Sequence, residues 1–211
     1  MGPFGGDEAF CYEIRGSLEA SYLGANDPRG GSGFRGDDAG RWERAWRPIA
    51  SAVDRDGTFL DVGCANGLLM ESLVAWCGED GRNVEPYGLD LIPSLADLAR
   101  ERLSRWKNRI FTGNVLGWEP PFRFDFVRTE LVYVPRDRRR ELVERLLDRY
   151  LVTGGRLILC SYGSSRRGAE PVGETLRGWG YAGTGEFEGK DTSGAVITPV
   201  AWIDAPHPLT P

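Results

Sequence analysis

Lysine is almost missing from these 211 residues: it occurs at Lys107 and Lys190, and arginine supplies the rest of the positive charge. We read that bias as compositional. Histidine occurs once, as His207 in the tail Ala205-Pro206-His207-Pro208. A tail histidine is a poor base unless the tail folds back, so deprotonation by histidine is not expected. The four cysteines, Cys11, Cys64, Cys77 and Cys160, show no C-x-x-C spacing. That argues against a disulfide framework and a metal cluster, and no metal is expected. Cys64 and Cys160 read instead as small buried side chains. No apolar run is long enough to span a bilayer, and Met1 followed by Gly, Pro and acids does not read as a signal peptide. The expected setting is the cytoplasm, without membrane contact. A net charge of −5 does not advertise a nucleic-acid surface. There is no internal repeat.

What the chain does have is alternation. Phe59-Leu60-Asp61-Val62-Gly63-Cys64-Ala65-Asn66-Gly67 runs from an apolar stretch through an acid into a glycine turn, and an amphipathic stretch follows from Leu68. That pattern reads as strand, tight turn, helix. A second apolar segment, Val84-Glu85-Pro86-Tyr87-Gly88-Leu89-Asp90, also ends in an acid. Pro93 opens a helix with Leu95, Leu98, Ala99 and Leu103 on its apolar face, proline being favourable in a first turn. Residues 109–112 and 124–130 read as strands three and four. Residues 135–151 read as a helix packed through Leu142, Leu146 and Leu147. Gly154 and Gly155 then stop the chain before a fifth strand ending at Cys160. A helix over 169–179 precedes two strands, 181–188 and 195–203, whose link is too short for a parallel crossover. Upstream, residues 41–54 carry Trp42, Ala45, Trp46, Ile49, Ala50 and Val53 at helical spacing, with Pro48 as a kink or restart. Residues 24–40 read as a glycine-rich loop. The alternation argues for a doubly wound α/β sheet, mostly parallel, with a C-terminal antiparallel hairpin.

Two strands with carboxylates at their carboxyl ends make a site for a molecule carrying hydroxyls and an amine, because ligands of open α/β sheets bind at that edge. Gly63 and Gly67 lack a Cβ and let backbone amides approach a ligand.

Taken in order, these segments resemble the class I S-adenosylmethionine-dependent methyltransferases, over roughly residues 40–204. The family's acid and G-x-G-x-G turn match Asp61 and Gly63-Cys64-Ala65-Asn66-Gly67, with Ala65 in place of the middle glycine. Its second acid matches Asp90, and its third motif matches Gly113-Asn114-Val115, with Asn114 in place of an acid. The resemblance implies a seven-stranded Rossmann-like methyltransferase fold and S-adenosylmethionine as cofactor. It further implies that Asp61 orients the turn near the methionine end, that Asp90 accepts from both ribose hydroxyls, and that Leu91 and Ile92 face Val115 and Leu116 across adenine. Asn114 would hydrogen-bond adenine through its carboxamide. Glu130, at the end of the fourth strand, would face the cofactor methyl and the acceptor, with Tyr133 beside it; these two are the catalytic candidates.

The chain length fits one domain plus a small lid. Residues 1–40 are the expected lid and specificity segment, residues 41–204 the cofactor-binding domain and residues 205–211 a tail. Tyr22, Arg35 and Trp42 are the substrate-binding candidates. The expected activity is O- or N-methylation of a small organic acceptor, in specialised metabolism, by a monomer or homodimer. Three alternatives stay open: an RNA methyltransferase, a cofactor-binding protein without turnover, and a nicotinamide-dependent oxidoreductase. The last has a G-x-G-x-x-G spacing that differs from the turn here.

Overall fold

The computed structural model describes residues 5–32, 34, 39–163, 168–182 and 185–206. Seven strands form one sheet: β1 (Gly57–Val62), β2 (Val84–Asp90), β3 (Ile110–Thr112), β4 (Phe124–Glu130), β5 (Leu151–Cys160), β6 (Gly185–Lys190) and β7 (Val196–Asp204). Their spatial order is β3-β2-β1-β4-β5-β7-β6, and β7 alone runs against the rest. The expected closing hairpin is therefore present as β6–β7. The chain winds from β1 outward to β3, then returns beside β1 as β4, so the carboxyl ends of β1 and β4 adjoin at a topological switch point.

Helices α1 (Gly5–Leu23), α2 (Ala39–Ser51), α3 (Leu68–Glu79), α4 (Pro93–Arg102), α5 (Arg139–Arg145) and α6 (Val172–Gly178) accompany the sheet. Strand side chains alternate between faces. Leu60, Val62, Phe124, Val127, Leu157 and Leu159 pack with Leu142, Leu146 and Leu176 on one face. Phe59, Phe126, Ile158 and Cys160 pack on the other with Trp42, Trp46 and Ile49 of α2 and Leu69 and Leu73 of α3. Asp61 and Arg128 are next in phase on that second face, and their Cα atoms are register partners across β1 and β4. The alternation of the strands thus aims both charges under the tryptophans of α2.

Residues 5–23, for which no element was expected, form a 19-residue helix ahead of the anticipated loop. Two local expectations are corrected. The helix expected over 135–151 is subdivided: a 3-10 turn at Arg136–Arg138, α5, then a π-helical turn at Leu146–Tyr150. Gly154 and Gly155 lie inside β5 rather than before it. Leu151 is opposite Phe124 and the ladder resumes with Arg156 opposite Phe126, so the glycines occupy a bulge, with Gly154 at φ 70°. Pro48 sits within α2, which is assigned without interruption. Among the described residues no helix is long and apolar enough to cross a membrane.

Candidate functional site

The turn after β1 is built by its own backbone. Gly63 and Gly67 have φ of 80° and 78°, the left-handed region that glycine enters without penalty. Ala65 shares that region at φ 46°, the one non-glycine among the described residues to do so. Its amide donates to Asp90 Oδ2 at 2.8 Å, which fixes it there. Gly63 and Cys64 donate to Leu89 O at 2.7 and 3.2 Å, and Gly67 donates to Cys64 O at 2.8 Å. The amides expected to face a ligand are therefore committed within the protein. What the glycines allow is close approach of side chains: a Cβ on Gly63 would lie 2.4 Å from the Tyr133 ring, and one on Gly67 2.4 Å from Leu103. Gly113 is likewise covered by Trp118, 2.9 Å from where its Cβ would sit.

Asp90 is 6% exposed. Oδ2 holds Ala65, and Oδ1 accepts from the Ile92 amide at 2.8 Å. A carboxylate oxygen can accept more than one hydrogen bond, so both retain capacity. Burial raises the Asp90 pKa, and these two amides oppose it. Beside it opens a cleft of about 690 Å³ between protein atoms, part of it open to solvent, lined by Asp90, Leu91, Ile92, Asn114, Val115 and Tyr133 among others. Leu89, Ile92 and Leu95 supply an apolar wall. Asn114 Oδ1 accepts from the Leu116 amide at 3.0 Å, folding the loop after β3 back towards the cleft.

A smaller chamber of about 310 Å³ between protein atoms, part of it open to solvent, adjoins this cleft and shares Ser32, Gly63, Ala65 and Tyr133 with it; Cys64, Trp42, Trp46, Asp61, Arg128 and Glu130 also line it. Arg128 is 2% exposed. Its Nη1 donates to Asp61 Oδ1 at 3.1 Å, its Nη2 to Glu130 Oε1, and its Nε to Cys160 Sγ at 3.1 Å. Its guanidinium lies over the Trp46 ring, 5.3 Å from the centroid. Tyr133 donates to the same Glu130 oxygen at 3.2 Å. Asp61 Oδ2 and Trp46 Nε1 are buried with no partner among the described residues. Burial raises the Asp61 pKa to about 6, against the pull of Arg128. The Tyr133 hydroxyl is pushed well above its ordinary range by burial and then by Glu130. Tyr133 thus keeps its proton and is a hydrogen-bond donor to Glu130, not a base.

Arg128 was given no role by sequence reasoning, although a signal was present: an arginine inside a strand of buried phenylalanines must be paired. Leu18 and Ser32 also line the cleft. They lie in a segment whose helix the sequence did not disclose. Tyr22 lines the cleft from α1. Trp42 lines the chamber and donates to Ser72 Oγ at 3.0 Å. Arg35 and His207 lie outside the described residues. The upstream segment is tied to the turn: Asn66 Nδ2 donates to Pro28 O at 2.7 Å, and the Ser32 hydroxyl donates to Asn66 Oδ1 at 2.8 Å. Glu19 of α1 accepts from Ser94 at the start of α4.

No family model and no curated protein sequence matches this chain. Solved structures do resemble it. The 1,6-didemethyltoxoflavin N1-methyltransferase of Burkholderia thailandensis, with its substrate and S-adenosylhomocysteine bound, superposes at a TM-score of 0.64 with 19% identity, over 98% of this chain and 93% of that one. The N-methyltransferase NodS of Bradyrhizobium japonicum, in complex with S-adenosylhomocysteine, gives 0.60 and 19%, over 91% and 98%. Magnesium protoporphyrin IX methyltransferase of Synechocystis, with bound S-adenosylmethionine, gives 0.58 and 13%, over 92% and 96%. At these identities the likeness is one of fold: the chain has the Rossmann-like methyltransferase architecture.

Proposed function

We propose that this protein is an S-adenosylmethionine-dependent methyltransferase acting on a small organic molecule, in a cytoplasmic setting and as a monomer or homodimer. The observation that carries the reading is the unpartnered, buried Oδ2 of Asp61 beside the glycine turn, one strand away from the carboxylate of Asp90. An ionised oxygen buried without a donor is costly, and an ammonium group on a ligand supplies that donor.

The residues fit the cofactor. Asp61 Oδ2 would take the ammonium of its amino-acid end, and the Gly63-Cys64-Ala65-Asn66-Gly67 turn would lie along that end. Asp90 would accept from the ribose hydroxyls with the capacity its oxygens retain. Leu91, Ile92 and Val115 would enclose the base, with Gly113 and Asn114 at its edge. Bound there, S-adenosylmethionine supplies a methyl group already activated by its sulfonium. The chain's contribution is alignment, which in well-oriented reactions lowers a barrier by about 7–11 kcal/mol. Tyr133 stands where the cleft and chamber meet, Glu130 lines the chamber, and both would contact the acceptor. Helix α1, with Tyr22 facing the cleft, would act as a lid that excludes water, with Trp42 on the acceptor side. Two of the neighbours named above are, by name, methyltransferases of 1,6-didemethyltoxoflavin and of magnesium protoporphyrin IX, which supports a small acceptor.

Calorimetric titration with S-adenosylmethionine and S-adenosylhomocysteine tests the proposal. Saturable one-site binding of both is expected, and a heatless titration with well-folded protein overturns it. A nicotinamide cofactor binding in their place would establish the oxidoreductase reading instead.

A further inference from the structure

From the charge and hydrogen bonding of the inner chamber we propose that the methyl acceptor is an amine, that it enters as the ammonium ion, and that Glu130 receives its proton. This deepens the methyl-transfer reading above and rests on it.

The chamber carries more negative than positive charge. Asp61 and Glu130 face it, and among the described residues Arg128 is the one cation in its lining. Three of its five N–H groups are engaged, by Asp61, Glu130 and Cys160, and Trp46 covers one of its faces. Asp90 adds a further buried acid in the adjoining cleft. Charges act strongly at such a site because little water screens them. With the singly positive donor in place, Asp61, Asp90, Glu130 and Arg128 leave the loaded site one negative charge in excess. An ammonium ion neutralises it, an alcohol leaves it, and an anionic acceptor doubles it.

Glu130 is arranged to take a proton. Its Oε1 accepts from both Arg128 and Tyr133, while Oε2 has no partner among the described residues and the side chain is 11% exposed. The two donors fix the carboxylate so that Oε2 is the free acceptor. Trp42 and Tyr133 give the chamber aromatic walls beside it, surfaces that favour a cation.

The step balances. The ammonium N–H bond breaks and its proton forms an O–H bond with Glu130 Oε2, leaving the lone pair on nitrogen. That pair forms the new N–C bond as the S–C bond breaks with its electrons passing to sulfur. The products are the methylated ammonium ion and the neutral thioether, and Glu130 then returns its proton to water.

Binding in a dead-end complex reads the proposal without turnover. The protein is saturated with S-adenosylhomocysteine and titrated with matched probes: phenethylamine, 2-phenylethanol and phenylacetate, then tryptamine and glucosamine with their hydroxyl counterparts. At least one amine is expected to bind about tenfold or more tighter than its alcohol, with the carboxylate weakest. In Glu130→Gln, with folding checked by thermal unfolding, the ratio of amine to alcohol affinity is expected to fall towards one. Tighter binding of an alcohol or a carboxylate overturns the proposal, as does binding of no amine, or an unchanged ratio in the variant. If S-adenosylhomocysteine itself fails to bind, the parent reading has failed instead.

Discussion

Arg128 Nη1 lies 3.1 Å from Asp61 Oδ1 across the β1–β4 register, and the second oxygen of Asp61 is left without a partner. Deleting the guanidinium strands two buried carboxylates. Arg128→Met is therefore expected to lower stability by about 3–5 kcal/mol in urea unfolding. Combining it with Asp61→Leu and Glu130→Leu is expected to restore most of that loss, since an apolar set needs no compensation, while abolishing cofactor binding. An unchanged midpoint in the single variant would show that the pairing carries no energy.

The charge state of Asp61 gives opposite pH signatures for folding and for binding. Its folded pKa is raised from 3.8 to about 6 by burial. The stability it contributes is thus fully present below 3.8 and is lost as pH rises through about 6. An ammonium ligand needs the ionised form and lowers that pKa, so binding near pH 5.5 should release protons. S-adenosylhomocysteine affinity is expected to rise by up to about tenfold per pH unit below 6 and to level off above. Calorimetry in buffers of differing ionisation enthalpy measures this, and Asp61→Asn should flatten the slope.

Asp90 holds two backbone amides, Ala65 on one oxygen and Ile92 on the other. A carboxamide has one acceptor oxygen, so Asp90→Asn must release one of them. A loss of about 1–3 kcal/mol in stability is expected, with weaker S-adenosylhomocysteine binding of about tenfold or more. Full-strength binding by the variant would remove Asp90 from the site.

Ala65 sits at φ 46°, where an L-residue is strained by about 1–2 kcal/mol. Glycine relieves that strain at the cost of a more flexible unfolded chain. Ala65→Gly should raise stability by about 0.5–1 kcal/mol in thermal unfolding; a fall in stability would mean that the Ala65 methyl contributes packing that outweighs the strain.

Asn66 fastens the segment after α1 to the glycine turn through Pro28 and Ser32. Asn66→Ala is expected to speed amide exchange at Gly30 and Gly31 while leaving β1 and β4 protected. Equal protection in both proteins would show that the tie is held elsewhere.

The sheet was legible because strands buried on both faces are largely apolar, and Phe59-Leu60 and Phe126-Val127 read so. The acids at Asp61 and Asp90 announced strand tips for the same reason: each is a charge placed where an apolar run stops. Helix α1 was not legible. It has glycines at positions 5, 6 and 16 and no strong apolar stripe, and what positions it is contact with α4 through Glu19 and Ser94. The purpose of Gly63 was half legible: the turn called for a glycine, but the ring of Tyr133 that requires one comes from seventy residues downstream.

The order of apolar runs, glycines and terminal acids fixed the strand sequence and the sheet edge that carries the candidate site, since burial and backbone sterics act on neighbours along the chain. Which oxygen of Asp61 is free, which charge Arg128 answers and which wall Tyr22 supplies were decided by tertiary structure alone. Each depends on groups distant in sequence meeting out of water, where a hydrogen bond made or missing has consequences that no local pattern encodes.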